Sequence, residues 1–159
     1  MAILCVVQFA PATPVNASPS AGYDEAPLIV KNDHGGLLWD RLHQIKELRA
    51  QGRPIEIRGK KCYSTCTMLM GLPNTCISPK TVFGFHGPSS YGRSLDKATF
   101  ERASEVIASY YPEPLQVWYM AEARHTIKGV IRVRGDNIIQ MGIRSCDAGP
   151  SEYRSASAP

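Results

Sequence analysis

The stretch Gly59-Lys-Lys-Cys-Tyr-Ser-Thr-Cys-Thr-Met-Leu-Met-Gly71 places the tightest constraint on how this chain can fold. A short β-type run, Pro54 to Arg58, leads into it. An apolar, helix-compatible run, Thr65 to Leu72, leads out. Between them stands one hydroxyl, Ser64, flanked by Cys62 and Cys66. A serine at a strand-to-helix turn exposes its Oγ at the mouth of an α/β site. The helix start behind it offers free backbone N–H groups and partial positive charge, which favour a developing oxyanion. Serine is also a common helix cap, and this stretch alone satisfies either role.

A chain of 159 residues accommodates one domain with one core. The net charge of +4 is modest, and Lys60-Lys61 is its one paired basic spot, with no interleaved aromatic stripe. Nucleic acid is therefore not expected as a partner.

The first residues read as a secretion signal. Ala2 to Ala10 is apolar but too short to span a membrane, and Val15-Asn16-Ala17 suits cleavage after Ala17. The n-region lacks a positive charge, since no Lys or Arg occurs before Lys31. An N-terminal strand is the rival reading, and Pro11 and Pro14 oppose it. The expected organisation is a signal peptide over 1–17, a flexible leader over 18–25, one domain over 26–148 and a disordered tail over 149–159. A periplasmic or secreted location follows. No other segment approaches membrane-span length.

Cleavage after Ala17 removes Cys5 and leaves Cys62, Cys66, Cys76 and Cys146. An even set in an exported chain suggests two disulfides, with three possible connectivities. If Cys62 and Cys66 share one helix face, each pairs outward, and the expected bridges are Cys66–Cys76 and Cys62–Cys146. The rival is a zinc site from these cysteines with His86. Its spacing, Cys-x3-Cys-x9-Cys-x9-His, is not a familiar ligand pattern. No metal or organic cofactor is expected.

The remaining pattern alternates strands and helices. Ala26 to Lys31 is a β-branched run ending in the turn formers Asn32-Asp33-His34-Gly35-Gly36. Leu38, Leu42, Ile45 and Leu48 form one stripe of a helix over Leu37 to Ala50, which Gln51-Gly52 stops. With the strand at Pro54 to Arg58 this makes a crossover unit and implies a parallel pair. Gly71 to Cys76 reads as a turn, and Thr81 to Phe85 as a strand ending at His86-Gly87-Pro88. Lys97 to Tyr111 is an amphipathic helix that Ser94 or Asp96 could cap. Pro112 and Pro114 break it. Leu115 to Thr126 is a further helix, Val130 to Val133 a strand, and Asn137 to Met141 a last short helix. The expected fold class is α/β, one domain, with a mostly parallel sheet and flanking helices.

Four fragments in this order resemble the Clp protease proteolytic subunit (ClpP) and its crotonase-like superfamily. Asn32-Asp33-His34-Gly35-Gly36 is similar to the family's Asn-Ser-Pro-Gly-Gly after a strand. Gly59 to Met70 looks like its Gly-x-Ala-x-Ser turn and apolar helix. Ile77 to His86 resembles its Leu-Pro-Asn-x-x-x-Met-Ile-His strand. Asn137 to Ile143 is similar to its Glu-Ala-x-Glu-Tyr-Gly-Leu. The resemblance spans roughly Ala26 to Gly142. A Cys-x-Ser-x-Cys-Thr turn with a Phe-His strand end also looks like exported bacterial relatives of this family.

The resemblance implies a ClpP/crotonase-like fold and a serine peptidase. Ser64 would be the nucleophile and His86 its general base. The backbone N–H groups of Gly35 and Thr65 would form the oxyanion hole. The family's third member, an Asp, would fall near Val130, where no carboxylate stands. Asp136 is the expected substitute, with Asp96 and Glu122 as further acids. The implied partner is a peptide or protein substrate. Relatives assemble through a helix after the histidine strand, so Lys97 to Tyr111 serves either a homo-oligomer or its own core. A Ser-Lys dyad is disfavoured, because Lys60 and Lys61 lie too close along the chain to aim back at Ser64. Export argues against acyl-CoA chemistry, and oxidised cysteines against a thiol nucleophile. The opposing class is a non-catalytic exported binding domain with a degenerate site.

Overall fold

The computed structural model describes residues 26–148. The expected signal peptide 1–17, leader 18–25 and tail 149–159 lie outside the described residues. Among those described, the order is β1 (Leu28–Asp33), α1 (Leu38–Gln51), β2 (Ile55–Tyr63), a 3-10 helix (Ser64–Gly71), β3 (Thr75–Ile77), β4 (Val82–Phe85), α2 (Lys97–Ala108), α3 (Glu113–Ala121), a 3-10 turn (Ala123–His125), β5 (Ile131–Arg134) and α4 (Gly135–Gln140).

One sheet of five strands organises the chain, in the order β1-β2-β4-β5, with β3 also on β2. β2 runs parallel to β1, β3 and β4, whereas β4 and β5 are antiparallel. The sheet is therefore mixed, and the chain is a single α/β domain with flanking helices.

β2 extends well past Arg58, because what reads as a polar turn is strand. The β1–β2 register shifts between Val30 and Asn32. At that bulge a Cβ on Gly59 would stand 0.7 Å from the Lys31 carbonyl oxygen, so glycine is the residue that fits. The displaced backbone is satisfied by side chains, as buried polar groups require. Asn32 Oδ1 accepts from the Lys60 and Lys61 N–H groups at 3.0 and 3.2 Å, and Thr81 Oγ1 donates to Gly59 O at 2.6 Å. The length lets β2 serve two partners on one edge, β3 along Ile55–Ile57 and β4 along Lys61–Tyr63. β3 itself falls where a turn was expected.

The helical stripe of α1 behaves as its spacing predicts. Ile45 and Leu48 are buried, Leu38 and Leu42 pack against the same core, and Gly52 closes the helix at φ 65°. Asp96 caps α2, accepting from Thr99 N at 3.0 Å. α2 ends before the two prolines; Pro112 is the N-cap of α3 and Pro114 lies in its first turn, where its missing N–H loses nothing. Ile107, Ala108 and Tyr111, from α2 and just beyond it, are buried in the chain's own core. An aromatic cluster joins α3 to the sheet: Phe85 meets Tyr111 at 5.6 Å and Trp118 at 5.4 Å.

The disulfides are Cys62–Cys66 and Cys76–Cys146, which corrects both expected pairings. Cys62 is on β2, not on the helix, and the sharp turn at Ser64 brings its Cα within 5.3 Å of Cys66. Cys146 reaches Cys76 because the last described segment runs alongside β3, with Cys146 N donating to Ile77 O at 2.9 Å. With all four sulfurs bonded in pairs, none is left as a metal ligand.

Candidate functional site

The site lies at the C-terminal ends of β1, β2 and β4, the edge where open α/β sheets place ligands. Ser64 leaves β2 with φ 56°, a left-handed conformation that costs a non-glycine residue about 1–2 kcal/mol. The turn is held from several directions. The Cys62–Cys66 bridge spans it. Thr67 Oγ1 donates to Ser64 O at 2.7 Å, and Thr67 Oγ1 also meets the Tyr111 hydroxyl at 2.7 Å. Since the Thr67 proton goes to Ser64, Tyr111 is the donor in that second bond. Burial drives the Tyr111 pKa far above the usual phenol range.

Gly35 stands against Ser64 from the end of β1. Its φ is +84°, and a Cβ there would come within 2.5 Å of Ser64 Cβ and 2.9 Å of both Ser64 Oγ and Thr65 N. Any side chain at this position would cover the hydroxyl and the amide together. The expected donor role of Gly35 does not match its bonding, however. Its N–H donates to Asp33 Oδ1 at 2.7 Å, and Asp33 Oδ2 accepts from the buried Arg41 at 2.5 Å. Gly35 therefore contributes clearance, while Thr65 N lies in the opening turn of the 3-10 helix, where N–H groups have no intrahelical partner.

His86 follows the end of β4. Tyr63 pairs with Gly84, so Ser64 lies level with Phe85 and His86 one step beyond. Strand spacing puts the Ser64 and His86 Cα atoms about 6 Å apart. The imidazole Nδ1 is 2.7 Å from Gly87 O. A carbonyl can only accept, so Nδ1 is the donor in this bond, and in the neutral ring Nε2 is the nitrogen with the lone pair. The segment is gripped from behind: Tyr119 OH donates to His86 O at 3.3 Å and Gly87 N to Thr126 O at 2.9 Å. A Cβ on Gly87 would fall 1.8 Å from Arg124 O. Among the described residues, no hydrogen bond joins Ser64 Oγ to His86. Such bonds often close only when substrate binds.

Asp136 is not brought to His86. β5 runs antiparallel to β4, pairing Arg134 with Val82 and Ile131 with Phe85. Asp136 thus lies past the opposite end of β4, roughly 15–20 Å away along the strand, where it accepts from Arg134 Nε at 3.0 Å. The same register sets Val130 level with His86, so no carboxylate stands there. Asp96 is engaged as the α2 cap, and the bond from Thr99 holds its carboxyl below the usual range. Glu122 is exposed at the end of α3 and makes no hydrogen bond to the imidazole. The group behind the imidazole is the Gly87 carbonyl, and Gly87-Pro88 following His86 was the signal that could have pointed to it. Thr67 and Tyr111 carried no such signal, since their contact spans 44 residues.

No protein-family model, no curated protein and no solved structure matches this chain.

Proposed function

We propose that this chain is an exported serine hydrolase of the ClpP/crotonase-like kind, cleaving peptides by acyl transfer. One observation carries the reading: Ser64 is held at φ 56° at the end of the central strand, beside the histidine that follows the neighbouring parallel strand. Backbone strain of this kind concentrates at functional sites. His86 Nε2 would take the Ser64 proton as Oγ attacks the scissile carbonyl. The oxyanion forms against Thr65 N–H and the helix start. The imidazolium then returns its proton to the leaving amine, and a water, deprotonated by the same Nε2, releases the acyl group. The Gly87 carbonyl orients the imidazole in place of a carboxylate, which makes for slow turnover. Two disulfides support export, since such bonds persist in oxidising compartments.

A second reading is favoured by the Asp33–Gly35 bond and by the neutral residue at Val130: a binding domain that keeps the fold and lacks the reaction. Labelling the oxidised protein with a fluorophosphonate probe, beside Ser64→Ala and His86→Ala, separates the two. Labelling of the parent that both substitutions abolish is the expected result. A folded, disulfide-bonded parent that does not label would establish the binding domain and reduce Ser64 to a helix cap.

A further inference from the structure

Beside the site, one face of the sheet packs into the core and the other carries exposed residues. Alternate strand residues point to opposite faces. Cys62 and Phe83 are wholly buried, and Ile131 and Val133 pack against the same core. Their neighbours Lys61, Arg132 and Arg134 are exposed on the far side. Strand register arranges these in two rows. Lys61, Val82 and Arg134 form the first; Tyr63, Gly84 and Arg132 form the second. His34 extends the second row onto the end of β1, meeting the Tyr63 ring edge-on at 5.8 Å.

Gly84 is what lets that row lie flat. A Cβ there would stand 2.6 Å from Tyr63 Cδ1, so the Tyr63 ring rests across the backbone of β4. His86 follows Gly84 by two residues and belongs to the same face, one step nearer the strand end. The rows therefore lead to the imidazole.

Beside the site the unpaired charge on this face is basic; farther back along β2, Glu56 on the same face is paired with Arg58. Arg134 is paired with Asp136. Lys61 and Arg132 have no acidic partner among the described residues. The carboxylate at the end of β1, Asp33, is engaged by Gly35 and the buried Arg41. Two strands across and two residues along, the Cα atoms of Lys61 and Arg132 stand about 12 Å apart. That matches three to four residues of extended peptide at about 3.3 Å each.

We infer that this open face is a substrate track for an extended acidic peptide. Asp or Glu side chains meet Lys61 and Arg132, an intervening side chain lies on the Tyr63 ring, and the chain continues to His86 and Ser64. The inference rests on the hydrolase reading, since that pair gives the track its direction. Two isolated cations around one tyrosine suit a peptide better than a polyphosphate backbone, which calls for a longer basic stripe.

The test uses disulfide-bonded Ser64→Ala protein, which cannot turn over, and fluorescence polarisation. The probes are a labelled nonapeptide alternating Glu with Ala, the same peptide with Gln for Glu, and a nine-nucleotide oligothymidine. The Glu peptide is expected to bind at least about tenfold tighter than the Gln peptide and to weaken with salt. The pair Lys61→Glu with Arg132→Glu should erase the preference. The pair Lys46→Glu with Lys97→Glu, an equal charge change on α1 and α2, should keep it. Equal binding of the two peptides, a preference that survives charge reversal on the sheet, or tighter binding of the oligothymidine would overturn the inference. Fluorophosphonate labelling without a peptide preference sinks this inference alone. A preference without labelling sinks the hydrolase and leaves a peptide-binding face.

Discussion

Cys62 and Cys66 are joined across Ser64. The first is the penultimate residue of β2 and the second lies in the opening turn of the 3-10 helix, with Cα atoms 5.3 Å apart. The covalent ring thus encloses Tyr63, the strained serine and Thr65. This bridge closes a span of four residues, whereas Cys76–Cys146 closes one of 70.

The two bridges should therefore separate stability from site geometry. Loop-closure entropy assigns about 4 kcal/mol to the long loop and about 2 kcal/mol to the short one. Cys76→Ser with Cys146→Ser is expected to lose more in urea denaturation. Cys62→Ser with Cys66→Ser should lose less stability but more fluorophosphonate labelling, because the Ser64 turn relaxes. Equal labelling in the two double variants would contradict the positioning role.

The strain at Ser64 can be measured without any substrate. Glycine adopts φ 56° freely, while alanine pays the same conformational penalty as serine. After the entropy glycine loses on folding, Ser64→Gly should be about 0.5–1 kcal/mol more stable than Ser64→Ala. A shift in the denaturation midpoint of Ser64→Gly below that of Ser64→Ala would show the strain to be absent.

Gly35→Ala tests the close approach at the end of β1. The added Cβ meets Ser64 and Thr65 below 3.0 Å and sits at φ +84°. Left-handed backbone costs about 1–2 kcal/mol and the overlap about 1–3 kcal/mol, so a loss of about 2–5 kcal/mol is expected from equilibrium unfolding. Labelling at Ser64 should fall in protein that remains folded, because the methyl shields the hydroxyl.

Alkaline stability should follow the buried tyrosines. Burial raises the pKa of Tyr111 and Tyr119 well above their ordinary value near 10. The unfolded chain releases these protons first, so the stabilisation is complete below pH 10 and is lost as pH rises beyond it toward the folded values. Each group contributes a slope of at most about 1.4 kcal/mol per pH unit. Tyr111→Phe should be less stable at pH 7, having lost its bond to Thr67, and should show a shallower decline above pH 10. An unchanged slope would mean that Tyr111 is not buried.

The sequence by itself determined several of the local elements. The stripe Leu38-Leu42-Ile45-Leu48 specified α1, Gln51-Gly52 its end, and Ser94 or Asp96 as the cap of α2, because helix periodicity and capping are short-range effects; the structure selects Asp96. Ser64 at a strand-to-helix turn and His86 at a strand end were legible for the same reason. What the tertiary structure decided depended on partners far along the chain. Gly59 reads as a turn residue until the Lys31 carbonyl packs against it, and β3 exists because Ile55–Ile57 offers it a ladder. The disulfide pairing turned on the strand assignment of Cys62, and the place of Asp136 on the antiparallel course of β5. Gly35 could be named as a site residue from its place after β1, but only the Asp33 carboxylate folded back on it shows its N–H already engaged. Register and strand direction are properties of pairs, and no single stretch of sequence carries them.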